Sequence, residues 1–292
     1  MVQRCPKVSV IIPNYNYALF VADAINSVLA QTYSNYEIIV VNNGSTDNSL
    51  EVLREFEKQI VLINQNNLGQ SGARNQGLLR ASGEVIAFLD ADDYWEPNKL
   101  ENQIPLLNSE VQLVYCGINI VDSKSSRKRK EVLPKYRGSC QDIGYLRPGI
   151  GVVLSGESTV IMSKDLVTQV GFFDSKLNSS AGWDYFRRCA ERTKFEYVNL
   201  CLSNYRLHNS NMSSNSKAYT EDLRRAYLKM YFESGSRRKW ALRLRCHLLL
   251  EITFIKRFIK ENNFRNMVTN IFNLPFFLFC AIFPDFFAKR ST

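Results

Sequence analysis

Apolar runs and stretches of helical periodicity alternate along the N-terminal part of the chain. The run at residues 8–12, which Pro13 ends, is almost entirely β-branched, as is typical of a strand covered on both faces. Apolar residues then recur at helical spacing from Phe20 to Leu29, before a second apolar run at residues 37–41. This order predicts a β-α-β unit with parallel strands.

The alternation continues up to residue 89. A polar turn at residues 43–47 leads into a helix predicted near residues 47–57, and strands are predicted at residues 60–63 and 85–89 on either side of a helix near residues 71–81. The order predicts an open α/β sheet, whose ligands bind beyond the carboxyl ends of the strands. The chemistry is therefore expected in three segments that follow strands: residues 13–17, 42–47 and 90–93.

Beyond about residue 110 the pattern loosens into short strands and loops. The basic run at residues 127–130 lies in a Ser-rich stretch, and a solvated loop explains it better than a specific anion site. From about residue 221 the pattern is helical again. We therefore expect a first domain over residues 1–220 and a basic helical extension over residues 221–292.

The distribution of charge changes the picture of the partners. The formal net charge is +9, of which +8 lies in residues 221–292 and +1 in residues 1–220. Because the basic character belongs to the extension and not to the domain, no nucleic-acid partner is expected.

The end of the extension, residues 271–287, is rich in Phe, Leu and Ile. Asn273, two prolines and Asp285 interrupt it, so it lacks the run of about 20 apolar residues that a spanning helix needs. Its basic flanks favour peripheral contact with anionic lipid. The alternative is a C-terminal helix that docks on the protein itself.

The cysteines and the N-terminus indicate the compartment. The seven cysteines are scattered without a Cys-x-x-Cys spacing and are interpreted as reduced, and the first residues lack the apolar stretch of a secretory signal. A cytoplasmic location is expected, with peripheral contact at the inner face of the cytoplasmic membrane.

Three carboxylates, Asp90, Asp92 and Asp93, directly follow the predicted strand at residues 85–89. Their mutual repulsion and partial burial reduce stability unless something offsets them. A divalent cation does so most simply, because carboxylate oxygens suit Mg²⁺ or Mn²⁺, and Mg²⁺ also binds substrate phosphates. The cluster therefore predicts a metal and a phosphate-bearing substrate.

Four blocks in this order resemble family 2 glycosyltransferases. Further matches follow, and the resemblance covers residues 8 to about 212. It implies the GT-A fold, which is a Rossmann-like, mixed but mostly parallel sheet flanked by helices. The blocks are residues 8–16, 27–47, 67–75 and 83–93, and the further matches are residues 170–174 and 205–208.

The resemblance also implies roles for individual residues. Asp92 matches the family's metal-binding aspartate and Asp90 the aspartate near the donor ribose, while Pro13 and Tyr15 lie in the loop that borders the nucleotide. Arg74 resembles an arginine on the donor side, where a guanidinium suits phosphate. Its alternative role is a surface salt bridge.

His208 matches a family position that approaches the metal or the departing phosphate, although a purely structural histidine explains it equally well. The expected metal ligands are therefore Asp92, Asp93 and His208, and the expected cofactor is Mn²⁺ or Mg²⁺.

The chain departs from the family at two places. Asn43 stands where the family has an aspartate that accepts a hydrogen bond from a uracil-type base. The side-chain carbonyl of Asn43 can still accept that bond, so base binding is expected with altered selectivity.

The second departure concerns the catalytic base. Ala181 and Gly182 occupy the positions of the family's Glu-Asp pair, which leaves Asp184 as the nearest carboxylate. An inverting transfer needs a base within reach of the acceptor hydroxyl, so Asp184 is the first candidate and Glu157 the second. The alternative for Asp184 is an ion pair with one of the two arginines that follow it.

The expected reaction is inverting transfer of a sugar from a nucleotide diphosphate donor to a hydroxyl of a saccharide or lipid-linked acceptor, in cell-surface polysaccharide synthesis. Two alternatives stay open. Transfer to an anionic polyprenyl phosphate would need no base, and a non-catalytic nucleotide-sugar-binding paralogue would account for the missing Glu-Asp pair.

Overall fold

A computed structural model describes residues 5–140 except 124 and 126, residues 156–208, residue 211, residues 221–226 and residue 229. In these ranges nine strands form one sheet, and helices pack against it. The strands are β1 (Val8–Asn14), β2 (Tyr36–Asn43), β3 (Ile60–Gln65), β4 (Val85–Phe88), β5 (Tyr94–Trp95), β6 (Val111–Asp122), β7 (Lys128–Val132), β8 (Ile161–Ser163) and β9 (Lys194–Leu207). The helices are α1 (Val21–Leu29), α2 (Ser49–Arg54), α3 (Gly69–Arg80), α4 (Lys99–Gln103), α5 (Lys164–Val170) and α6 (Ala181–Ala190), with 3-10 turns at Ile104–Leu106 and Glu157–Thr159.

The sheet is mixed, in the order β3-β2-β1-β4-β8-β6-β9-β5, with β7 paired to β6. Strands β1 to β4 are mutually parallel, β8 runs antiparallel to its neighbours β4 and β6, and the long β6 and β9 are parallel. Most paired positions therefore belong to parallel ladders. The predicted α/β class, with a mixed and mostly parallel sheet flanked by helices, is confirmed.

The alternation of apolar runs produces this layering directly. Strand β1 is buried along its whole length, because Val10 and Ile12 pack with α1 on one face and Ile11 packs with α3 on the other. Gly77 lets α3 approach β1 closely, since a Cβ atom there would lie 2.3 Å from the Ile11 side chain. The sheet is thus covered on both faces at its centre.

Strand β1 was predicted to cover residues 8–12 and to stop before Pro13, and this end is wrong by two residues. The strand continues to Asn14, and Pro13 pairs in register with Val41 of β2. On its other side β1 pairs with β4 only as far as Ile11. The missing N–H of Pro13 therefore leaves no bond unmade in that direction.

The basic run is a strand and not the predicted loop. Lys128 and Arg129 lie in β7, whose first residues are exposed, and they pair with Glu131 and Asp122 respectively. The predicted solvation of the run is correct, and only its conformation differs. The cysteines in the described ranges are free thiols.

The start of the extension packs on the domain that precedes it. The Asp222 carboxylate accepts hydrogen bonds from the backbone N–H groups of Asn178 and Ser180 at 3.0 and 2.8 Å. Leu223 and Ala226 are fully buried. Residues 221–226 are therefore anchored to the segment that leads into α6.

Most of the extension, including its apolar end at residues 271–287, lies outside the described residues. Within the described ranges, no helix is both long enough and apolar enough to span a bilayer.

Candidate functional site

The loops after β1 and β2 are tied together at the carboxyl edge of the sheet. Asn14 Nδ2 and the Asn16 backbone N–H both donate to Ser45 Oγ, at 3.2 and 3.1 Å, and Asn16 Oδ1 accepts from Thr46 N–H at 2.7 Å. Asn16 adopts a positive φ of 58°, which asparagine tolerates better than most residues. These bonds fix the relative position of two of the three predicted strand-end segments.

A cavity of about 500 Å³ opens between these loops and the start of α3. This volume lies within the range of small-molecule sites. Pro13, Tyr15 and Asn43, which were predicted to contact the nucleotide, all line it, and Tyr15 is 44% exposed. Asn67 and Asn178 also line the cavity. Asn67 begins the block of resemblance at residues 67–75 but was given no role, and no pattern in the sequence singled out Asn178.

The side chain of Asn43 already has partners on both of its polar atoms. Its Oδ1 accepts from Gln65 Nε2 at 2.8 Å and from the Leu68 N–H at 2.9 Å. Its Nδ2 donates to Asn67 Oδ1 and to the Gly69 carbonyl, both at 3.2 Å. In this structure Asn43 therefore holds the turn between β3 and α3.

Arg74 links two carboxylates beside the cavity. The guanidinium is 1% exposed and lies 2.8 Å from Asp90 Oδ1 and 3.0 Å from Glu157 Oε1. Because the side chain is buried, the alternative of a surface salt bridge does not apply. Burial raises the pKa of Asp90 to about 6, with Arg74 lowering it and the neighbouring Glu157 and Asp92 carboxylates raising it further.

The side chains of Asp92 and His208 are in direct contact. His208 Nε2 lies 3.0 Å from Asp92 Oδ2, and the Asn211 amide lies 3.4 Å from the same oxygen. The imidazole stacks on Phe20 with ring centroids 4.9 Å apart, and Tyr17 contacts it edge-on at 5.7 Å. Together these contacts fix the orientation of the histidine ring.

Tyr17 connects this pair with the cavity, because it lines the cavity and also lies beside the acidic residues. Burial first, and then the charges of Asp92 and Asp90, raise the pKa of its phenol. Tyr17 falls in the predicted strand-end segment at residues 13–17. The family resemblance assigned a role there to Tyr15 and none to Tyr17.

Asp93 has other partners. Its Oδ2 accepts from Ser158 Oγ at 2.6 Å and its Oδ1 from the Arg206 N–H at 3.3 Å, and the residue is 4% exposed. Burial and the neighbouring Asp92 and Asp90 carboxylates raise the pKa of Asp93. These contacts tie β9 and the 3-10 turn to the acidic segment, and each oxygen of Asp93 accepts one hydrogen bond from the protein.

Asp92 and His208 fit a divalent cation. Carboxylate oxygens suit Mg²⁺ and Mn²⁺, and neutral imidazole is a common metal ligand. When Nδ1 carries the proton, the Nε2 lone pair faces the same space as the Asp92 carboxylate. Among the described residues no cluster of three or more His, Cys, Asp or Glu side chains could hold a metal, so the phosphates of a bound donor would have to supply further ligands.

Asp184, the first candidate for the catalytic base, lies in a buried ion-pair cluster. Its carboxylate is fully buried, with Arg187 Nη2 at 3.2 Å, Arg188 Nε at 3.0 Å and Lys229 Nζ at 3.2 Å. Lys229 also lies 2.8 Å from Asp174, so the cluster joins α6 to the start of the extension. These contacts support the ion-pair alternative.

Comparison with known proteins identifies the family of the chain. Residues 9–166 match the family described as Glycosyl transferase family 2. An uncharacterized glycosyltransferase of Rickettsia prowazekii is 33% identical over 231 residues, which cover 77% of this chain and 72% of that protein.

Two relatives match over a shorter region of 121 residues, which is 40% of this chain. An uncharacterized glycosyltransferase of Nostoc sp. is 50% identical there, and the match covers 38% of that protein. The UDP-Glc:alpha-D-GlcNAc-diphosphoundecaprenol beta-1,3-glucosyltransferase WfgD of Escherichia coli is 41% identical, and the match covers 48% of it. The matched region thus spans less than half the length of these two relatives.

Solved structures share the fold. TarS 1-349 of S. aureus in complex with UDP-GlcNAc has a TM-score of 0.61 and 18% identity, covering 86% of this chain and 72% of that one. Mannosyltransferase PcManGT from Pyrobaculum calidifontis in complex with GDP-Man and Mn²⁺ has a TM-score of 0.62 and 16% identity, covering 98% of this chain and 88% of that one. At 16% and 18% identity, the similarity to these two structures shows a shared fold only.

Proposed function

Because the chain belongs to glycosyl transferase family 2, we propose that it transfers a sugar, with inversion, from a nucleoside diphosphate donor to a hydroxyl of a saccharide or lipid-linked acceptor. Membership of this family shows that the chain is a glycosyltransferase. The donor class, the acceptor and the stereochemistry are the proposal.

One observation carries the donor assignment. The cavity between the strand-end loops and α3 borders, through Tyr17, on the Asp92–His208 pair. A nucleoside fits the cavity, where Tyr15 offers a half-exposed ring and the surrounding asparagines offer polar groups. Asp92 and His208 would hold Mn²⁺ or Mg²⁺ on the diphosphate, and the cation would neutralise the charge that develops on the leaving group.

The contacts of Asn43 and Asp93 refine the expected site. We assign Asn43 to the turn between β3 and α3, because its carbonyl oxygen already accepts two hydrogen bonds. Asp93 positions the loop and is left out of the metal ligands, because both of its oxygens are engaged. Arg74 and Asp90 remain on the donor side, next to Ala73 of the cavity wall.

The acceptor class rests on a relative and on the extension. WfgD is named for transfer to a sugar on diphosphoundecaprenol, and this supports a lipid-linked saccharide acceptor and a role in cell-surface polysaccharide synthesis. The +8 charge of residues 221–292 would attract the chain to the anionic inner face of the cytoplasmic membrane. The apolar residues 271–287 would add contact with the lipid itself. A chain ending at residue 262 keeps +6 of this charge and lacks the apolar end. It should therefore lose sedimentation with phosphatidylglycerol vesicles, and unchanged sedimentation would place the contact elsewhere.

A donor panel tests the reaction. The full chain with Mn²⁺ is incubated with UDP-glucose, UDP-GlcNAc or GDP-mannose. Nucleotide release is measured without acceptor, with a GlcNAc-diphosphate-lipid acceptor and with polyprenyl phosphate. We expect one donor to be consumed and its sugar to appear on the acceptor. Transfer to polyprenyl phosphate alone would favour the first alternative, and donor binding without any turnover would favour a non-catalytic paralogue.

A further inference from the structure

Gly182 and Glu157 share one space in the structure. A Cβ atom built on Gly182 would lie 2.2 Å from Glu157 Oε1 and 2.7 Å from its Cδ. Gly182 is in the first turn of α6, whereas Glu157 opens the 3-10 turn Glu157–Thr159. The Glu157 carboxylate therefore stands where a side chain at position 182 would begin.

We propose that Glu157 is the catalytic base, and that Gly182 makes room for its carboxylate where the family carries an aspartate on α6. The assignment rests on the proposed sugar transfer. It explains how the chain dispenses with the Glu-Asp pair without losing a carboxylate at that place.

Ser158 holds the 3-10 turn against the acidic segment. Its Oγ donates to Asp93 Oδ2 at 2.6 Å and accepts from the Asp90 N–H at 3.1 Å. Its carbonyl oxygen accepts from Trp95 Nε1 at 2.7 Å. The backbone of the turn that begins at Glu157 is thus held by the loop that carries the donor-side carboxylates.

Arg74 places Glu157 on the donor side. The same guanidinium lies 2.8 Å from Asp90 and 3.0 Å from Glu157, so the two carboxylates flank one cation. The Glu157 side chain is 15% exposed, while that of Asp184 is fully buried. The Glu157 carboxylate therefore keeps some contact with solvent, from which an acceptor hydroxyl would approach, whereas three cations and the protein interior enclose Asp184.

The proposed transfer needs only the donor, the acceptor and the Glu157 carboxylate. The Glu157 carboxylate takes the proton of the acceptor hydroxyl, and the acceptor oxygen forms a bond to the anomeric carbon of the donor. The bond between that carbon and the diphosphate oxygen breaks, and its electron pair leaves with the nucleoside diphosphate.

An anionic nucleophile distinguishes a missing base from a damaged site. Glu157→Ala should lower donor consumption by about 10²- to 10⁴-fold, with the Kd for UDP and Mn²⁺ within about threefold of the wild-type value. Sodium azide has no proton to lose, so it should restore nucleotide release in this variant by forming the glycosyl azide. A merely structural defect would not respond to azide.

A second variant tests the shared space without altering Glu157. Gly182→Ala should displace the carboxylate and lower donor consumption in the wild-type background. It should cause no further loss in the Glu157→Ala background. Equal losses in both backgrounds would overturn the link between the two residues.

Failure of this assignment and failure of the proposed function give different results. No donor consumption by the wild-type chain would reject sugar transfer and the base with it. Full turnover in Glu157→Ala, or azide rescue of Asp184→Asn but not of Glu157→Ala, would reject Glu157 alone. Rescue of Glu157→Ala with coupling to Gly182→Ala is the supporting result.

Discussion

The Asp92 carboxylate and the His208 imidazole lie 3.0 Å apart although 116 positions separate them in the chain. Strand β4 leads to the aspartate and β9 ends just before the histidine. Phe20 and Asn211 contact the imidazole from other directions. Residues from three separate parts of the chain thus converge on one oxygen–nitrogen pair.

Removing the charge of Asp92 should abolish metal-dependent donor binding. Adding Mn²⁺ should increase the affinity for UDP at least about tenfold less in Asp92→Asn than in the wild type. Mutating a residue that only hydrogen-bonds to a metal ligand already lowers metal affinity about 10- to 100-fold, and loss of the ligand itself should cost more. Isothermal titration of UDP with and without Mn²⁺ measures the difference.

Asp93→Asn is the matched control, since it makes the same chemical change one position along the chain. Both Asp93 oxygens accept hydrogen bonds inside the protein, so this variant should lose stability while keeping the Mn²⁺ effect on UDP binding. If Asp92→Asn retained the Mn²⁺ effect and Asp93→Asn lost it, the assignment of the ligand would be reversed.

Restoring the family aspartate at position 43 should destabilise this chain. The Asn43 amide donates to Asn67 Oδ1 and to the Gly69 carbonyl, and a carboxylate would place an acceptor against both. We expect Asn43→Asp to lose about 1–3 kcal/mol of unfolding free energy, as buried groups left unsatisfied do. Urea denaturation measures this loss.

The exposed neighbour Asn66 provides the comparison for that experiment, because Asn66→Asp makes the same change in the same turn. It should alter the unfolding free energy by less than about 0.5 kcal/mol. Similar losses in the two variants would show that the turn responds to charge in general, and not to the bonds of Asn43.

The sheet and the place of the site could be predicted from sequence because both follow from local periodicity. Buried runs such as residues 37–41 specify central strands, and strand ends specify where ligands bind. The sequence predicted the site in residues 13–17, 42–47 and 90–93. Residues 13–17 and Asn43 line the cavity.

Side-chain pairing at long range could not be predicted in the same way. Asp184 was chosen because it was the nearest carboxylate along the chain, but its partners include Lys229 of the extension, 45 positions away. The complementarity of Gly182 and Glu157 joins a helix to a separate turn, and no periodicity encodes it. The use of both polar atoms of Asn43 depends on the course of the chain after β3.

A buried lysine near the turn that carries Glu157 leads to a prediction about how the stability of the fold depends on pH. Lys99 is fully buried, with its Nζ 2.6 Å from Gln103 Oε1 and 4.1 Å from the centre of the Trp95 ring. Gln103 in turn donates to the Thr159 carbonyl at 2.9 Å and so supports the turn that carries Glu157. Burial lowers the pKa of Lys99 from 10.5 to about 8.

Between pH 8 and pH 10.5 the unfolded chain binds the Lys99 proton and the folded chain does not, so the free energy of unfolding rises with pH in this window. The rise attributable to Lys99 amounts to about 3 kcal/mol for a shift of this size. Lys99→Met keeps the length of the side chain and removes the titration, so its curve of stability against pH should lack this rise. Denaturation of both proteins at several pH values measures the difference, from which the titration of groups that do not interact with Lys99 cancels. Burial raises the pKa of the Cys116 thiol to about 11 and the charge of Lys99 lowers it, so the comparison is made below pH 10. Loss of the hydrogen bond to Gln103 shifts the whole stability curve of Lys99→Met by a constant amount. Parallel stability curves of the two proteins from pH 8 up to this limit would show that Lys99 keeps an ordinary pKa in the folded protein.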